Sequence, residues 1–140
     1  MILLEYNPEN LSVISEIIRS KLTYDLLPRK WFTRNMLNPT FGHCHNAAGC
    51  LYKIFGHENV HMYRALDDEG IWHWWVIDKE NKLIDLTSEQ YTSQGRNPPY
   101  AEGQKACMLG FEYKKRVLRL FERVMTEYEN RINNRPALWS

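Results

Sequence analysis

Between residues 60 and 87 three short apolar segments are separated by two turn-rich ones. Val60–Leu66 (VHMYRAL) alternates and runs into Asp67-Asp68-Glu69-Gly70. Residues 71–78 (IWHWWVID) are aromatic and β-branched, which suits a pleated, half-buried surface. Lys79-Glu80-Asn81-Lys82 turns the chain again before residues 83–87 (LIDLT). Strands joined this closely must pair antiparallel, because a parallel return needs a crossover of about a dozen residues or more.

Helical patterns flank this meander. Pro8-Glu9-Asn10 opens a helix in which Leu11, Ile14, Ile17, Ile18 and Leu22 recur at helical spacing, and Pro28 closes the region. Residues 29–36 form a second short helix or turn, ended before Asn38-Pro39. A third helix is predicted from Cys44 to Phe55, with Ala47, Ala48, Leu51, Tyr52 and Phe55 as its apolar stripe and Gly56 as C-cap. Residues 88–104 are polar, with Gly95, Pro98, Pro99 and Gly103, and read as a long functional loop. The last helix is expected at 112–131, with Val117, Leu118, Phe121, Val124, Met125, Tyr128 and Ile132 inward and Lys114, Lys115, Arg116, Arg119 and Arg123 outward. The expectation is one α+β domain over residues 1–140, with helices packed on a three- to four-stranded antiparallel sheet.

Charge and motifs exclude several functions. Eighteen Lys and Arg against 17 Asp and Glu leave a net charge of +1, so nothing favours a general nucleic-acid binder. Glu112, Glu122, Glu127 and Glu129 dilute the basic residues of the last helix, which reads as a solvated face. Neither GxxxxGK[ST] nor GxGxxG occurs. Glu5, Asn7, Pro8 and Glu9 interrupt the apolar start, so neither a signal peptide nor a membrane span is expected. Three cysteines, an odd count, point to reduced thiols and a cytoplasmic setting.

Chemistry concentrates in the order Cys44, His73, Asp85. A cysteine opening a helix meets free backbone N–H groups and the positive end of the dipole, which favour the attacking thiolate. If residue 75 pairs with 85, His73 and Asp85 share a sheet face as diagonal neighbours, about 7–8 Å apart in backbone. A slip by one residue would separate them. An acyl-transfer site also needs an oxyanion hole. Its donors are the Cys44 N–H and Asn38, with His43 and Gln90 competing. Glu89, Gln90, Tyr91 and Tyr100 are placed around a pocket under the polar loop, and Trp72, Trp74 and Trp75 are expected to wall it against water, which favours transfer. Cys50 is assigned to packing, and Cys107 stays open between packing and a redox partner for Cys44.

A helix with Cys followed by sheet positions with His and Asp resembles the papain-like thiol superfamily, nearest to its transglutaminase-like, arylamine N-acetyltransferase-like and NlpC/P60-like domains. The resemblance spans residues 40–87. It implies a papain-like core, with Cys44 as nucleophile, His73 as base and Asp85 as its orienting carboxylate. The blocks NPTFGHCHNAAGCLYKIFG, HWWVIDKENKLIDLTSEQY and PYAEGQKACMLGF also resemble a family of small uncharacterised phage and bacterial proteins, over residues 38–111. The function expected is cleavage or transfer at an amide, ester or thioester carbonyl of a small-molecule or peptide substrate, with no cofactor and no membrane partner. Two alternatives stand beside it. One is a binding protein acting on a host partner. The other is a zinc module drawing on His43, Cys44, His45, Cys50, His57, His61 and His73, although no CxxC or HExxH spacing occurs.

Overall fold

The Asn7 side chain accepts the Asn10 amide at 2.8 Å and Pro8 occupies the first turn, so α1 (Pro8–Ser20) begins where the pattern predicts. The protein is seen here in a computed structural model, which describes residues 4–106 and 114–134. Ile14, Ile17 and Ile18 of α1 are fully buried, each contributing roughly 1.5–3 kcal/mol of transfer free energy. A 3₁₀ turn at Arg29–Trp31 leads into α2 (Phe32–Leu37). Helix α3 (Cys44–Phe55) has the predicted ends, and Gly56 caps it at φ 85°, where a side chain would be strained. Its buried surface is wider than the predicted stripe. Cys50 and Ile54 are fully buried while Tyr52 is half-buried, because α3 lies between the sheet on one side and α1 and the last helix on the other.

The fold is α+β. Among the described residues four antiparallel strands, β1 (Val60–Leu66), β2 (Trp72–Asp78), β3 (Leu83–Ile84) and β4 (Gln104–Lys105), stand in the order β3-β2-β1-β4. The β2–β3 register pairs Val76 with Ile84 and Ile77 with Leu83, which continues to place Trp75 level with Asp85. Strand β3 is shorter than the predicted 83–87. The Asp85 carboxylate accepts the Thr87 N–H at 3.0 Å, and this Asx turn takes the chain out of the ladder.

The sheet has two differently covered faces. Val60, Met62, Val76 and Ile84 belong to the core built with α1, α3 and the last helix. His73 and Trp75 alternate to the opposite face. Residues 88–104 are not a plain loop. They form α4 (Glu89–Thr92), a 3₁₀ turn at Tyr100–Glu102 and edge strand β4, and place Tyr91 and Tyr100 against the His73 and Trp75 rings. Helix α5 (Lys115–Asn133) starts after an extended Lys114; Glu112 of the predicted start and Cys107 lie outside the described residues. Leu120 joins Val117 and Val124 in the core, while Ile132, predicted inward, is 38% exposed.

Gly103 lets this second layer close on the sheet. A Cβ there would lie 2.6 Å from the Trp75 ring at Cζ2, and Trp75 is itself buried beneath Tyr100. Gly103→Ala is therefore expected to destabilise the protein by about 1–3 kcal/mol through overpacking, read as a lower midpoint in urea with an unchanged m-value. A neutral substitution would show that Trp75 has room to move.

Candidate active site

Three elements bring the central residues together. Gly42, at φ 86° and packed against Leu27, turns the chain into α3. Cys44 then stands in the first turn, where backbone N–H groups have no intrahelical acceptor. Its side chain is 7% exposed, and its thiol meets the Trp72 carbonyl oxygen at 3.8 Å. His73, from the middle of β2, is fully buried. Asp85 follows β3, and its Oδ2 lies 2.6 Å from His73 Nε2. The period of the strands brings the two side chains to one face, as the register predicts.

Asp85 is held on every side. Oδ2 also accepts the Tyr100 hydroxyl at 2.6 Å, and Oδ1 accepts the Thr87 N–H. On the far side of the imidazole, Gln90 Nε2 lies 3.0 Å from His73 Nδ1 and 3.1 Å from Thr87 Oγ1. Burial opposes charge on His73, yet hydrogen bonds with Asp85 and Cys44 and their negative charge outweigh it, and its pKa is raised to about 9. At neutral pH both ring nitrogens then carry protons. The Gln90 amide donates to a neutral ring and must turn its oxygen to a protonated one.

The remaining predicted residues divide. Gln90 lines the cleft at Cys44. Asn38 is buried, with its Nδ2 given to the Gln90 carbonyl at 2.7 Å and its Oδ1 unmatched. His43 is buried at the N-cap of α3 with Nδ1 unmatched, and burial lowers its pKa to about 4. Trp75 supports the His73 ring, centroids 5.6 Å apart, rather than walling the cleft. Tyr91 packs edge-on against His73 at 4.8 Å and donates its hydroxyl to Asp67 at 2.8 Å. Tyr100 is likewise committed, to Asp85, and Glu89 pairs with Arg19 instead of lining a pocket. Cys50 is fully buried, and burial pushes its thiol pKa far up.

A cleft of about 150 Å³ opens beside the sulfur, with walls of Trp31, Phe41, Gly42, His45, Ile71, Trp72, Trp74 and Gln90. Trp31 and Phe41 escaped the sequence reading because nothing in a loop residue's neighbours reveals its spatial ones. Thr87 and the D-x-T turn could have been read from the Asx signal. Among the described residues the seven zinc-type side chains form no ligand cluster. The acidic group Asp67, Asp68 and Glu69 does come together, but Arg96 already pairs with all three. No helix of the described residues is long and apolar enough to cross a membrane.

The geometry defines an α+β protein in which a helix-borne cysteine meets a buried His–Asp pair across an antiparallel sheet. Over residues 12–130 the sequence matches the profile described as YunG protein, and the chain belongs to the YunG family. Searches among curated proteins and among solved structures find no match.

Proposed function

We propose that this protein is a thiol enzyme that cleaves or transfers an acyl group at an amide, ester or thioester carbonyl, through a thioester on Cys44. The observation that carries the reading is the His73 ring, tied at Nε2 to Asp85 at 2.6 Å while the same ring interacts with Cys44. A buried imidazole oriented by a carboxylate beside a cysteine is the arrangement that activates a sulfur nucleophile. The order of helix, strand and strand supports placing the site in the papain-like superfamily.

In the proposed reaction the Cys44 thiolate attacks the carbonyl carbon, and the carbonyl π pair moves onto oxygen. The Cys44 N–H at the start of α3 stabilises that oxyanion. Imidazolium His73 keeps Nε2 on Asp85 and gives its Nδ1 proton, released from the Gln90 amide, to the leaving nitrogen, oxygen or sulfur, which departs with the electrons of its bond to carbon. Neutral His73 then takes a proton from water or another acceptor as that group attacks the thioester. Cys44 leaves as thiolate beside a recharged His73. Walls of Trp31, Phe41, Trp72 and Trp74 offer water few hydrogen-bond partners, which favours transfer over hydrolysis.

The test is mass spectrometry of the intact protein after incubation with activated ester, thioester and amide donors. One acyl group is expected per chain, mapped to Cys44, absent in Cys44→Ala and discharged on addition of an amine or thiol acceptor. Failure to form an adduct with every donor class, or an adduct that survives Cys44→Ala, would overturn the reading.

A further inference from the structure

A second, much larger cavity of about 820 Å³ adjoins the cysteine cleft, and the two share His45 and Trp74 as walls. His45 follows Cys44 directly and packs edge-on against Trp74 at 4.8 Å. The rest of the large cavity is strongly basic. Among the described residues, Lys114, Lys115, Arg116 and Arg119 line it, against the single carboxylate of Asp25. That carboxylate is already engaged by Arg123 and Arg119. His45 adds no positive charge at neutral pH, because burial and then Lys114 lower its pKa to about 4. Arg64 stacks over Trp72 at 4.1 Å and Trp74 at 5.4 Å, which puts a further cation beside the cleft wall.

The same helix shows how an ordinary solvated face looks. Toward its C-terminal end, Arg131 pairs with Glu127 and Glu16, and Glu127 also meets Lys21. At the cavity, Lys114, Lys115 and Arg116 have no ion-pair partner among the described residues. In a chain with a net charge of only +1 this is a local segregation of charge. Like charges gathered without counter-charges repel one another, and an anion placed among them relieves that cost.

We infer that this basic cavity binds a multiply charged anionic group of the substrate, phosphate or carboxylate, and so delivers an anionic acyl donor to Cys44. The inference rests on the thiol-enzyme reading for its chemistry and on the cavity for its charge. Arginine matches such oxygens bidentately, and lysines add point charge.

Inorganic pyrophosphate and succinate are the probes for binding, by titration calorimetry at low ionic strength. Iodoacetate and iodoacetamide, alike except for charge, are the probes for delivery. Saturable binding of pyrophosphate or succinate is expected, and the one that binds tells phosphate from carboxylate. It should weaken roughly tenfold or more in Lys115→Ala/Arg116→Ala, whose residues are exposed and compatible with helix. In that variant the ratio of iodoacetate to iodoacetamide rates at Cys44 should fall several-fold, with the iodoacetamide rate unchanged. Lys21→Ala/Arg131→Ala, which removes equal charge elsewhere, should leave both readouts alone. Absence of anion binding, or equal effects of the two double variants, overturns the inference while leaving a reactive Cys44 intact. Anion binding lost only in Lys115→Ala/Arg116→Ala, with Cys44 inert to both reagents, supports the cavity and overturns the thiol-enzyme reading instead.

Discussion

Cys44 is expected to react with iodoacetamide at pH 6 roughly a hundredfold faster in the native protein than in His73→Gln. An ordinary thiol of pKa about 8.5 is only about 0.3% ionised at pH 6, so pairing with an imidazolium has a large range in which to act. Burial opposes charge on His73, and the contacts with Asp85 and Cys44 outweigh it and raise its pKa to about 9. Cys50 should remain unlabelled until the protein unfolds, since it is fully buried and burial raises its pKa. Peptide mapping after brief labelling reads all of this. A rate at Cys44 that follows free cysteine, or is indifferent to His73→Gln, would remove the basis for nucleophilic catalysis.

Asp85→Asn is expected to cost about 3–5 kcal/mol of stability at pH 6, and substantially less at pH 9.5. The cost at pH 6 arises because the carboxylate accepts from His73, Tyr100 and Thr87 inside the protein, and an amide cannot accept from all three. The pH dependence follows from linkage. The His73 pKa is raised above its unfolded value, so the folded state binds the extra proton between pH 6.5 and about 9. The resulting stability is complete below pH 6.5 and is lost as pH rises through about 9, on the order of 3 kcal/mol in the native protein. Asp85→Asn removes the Asp85 share of that gain, so the two stability curves should converge toward alkaline pH. Urea unfolding at half-unit steps of pH measures the gap, and parallel curves would show that Asp85 does not hold the charge on His73.

Both experiments probe a constellation whose centre was readable from local pattern. Strand alternation and short turns placed β1 and β2 within one residue of their observed ends. The register that sets Trp75 level with Asp85 was one of the alternatives the strands allow, a slip by one residue being another, and the observed pairing of Val76 with Ile84 decides for it and for the meeting of His73 with Asp85. The helix from Cys44 to Phe55 was equally legible, because Gly56 and the apolar spacing mark its end. The support around that centre was not. Residues 88–104 carry no strong period, and their contacts reach 15 residues back from Tyr100 to Asp85 and 17 from Gln90 to His73. By pattern Tyr91, Tyr100 and Trp75 suit a substrate pocket, but the Trp75 and Tyr91 rings pack on His73 and the Tyr100 hydroxyl donates to Asp85.

What the sequence determined by itself, then, is the helix that starts at Cys44 and the strand alternation that lets His73 and Asp85 share one face of a meander. Periodicity is a property of neighbours, and neighbours are written in order along the chain. Only the tertiary structure decided that the polar segment folds back to clamp Asp85 and Gln90 into the site. It alone brought the basic start of α5 beside His45 and Trp74, some 70 residues earlier for His45. Those placements depend on which buried surfaces fit against one another, which no local period records.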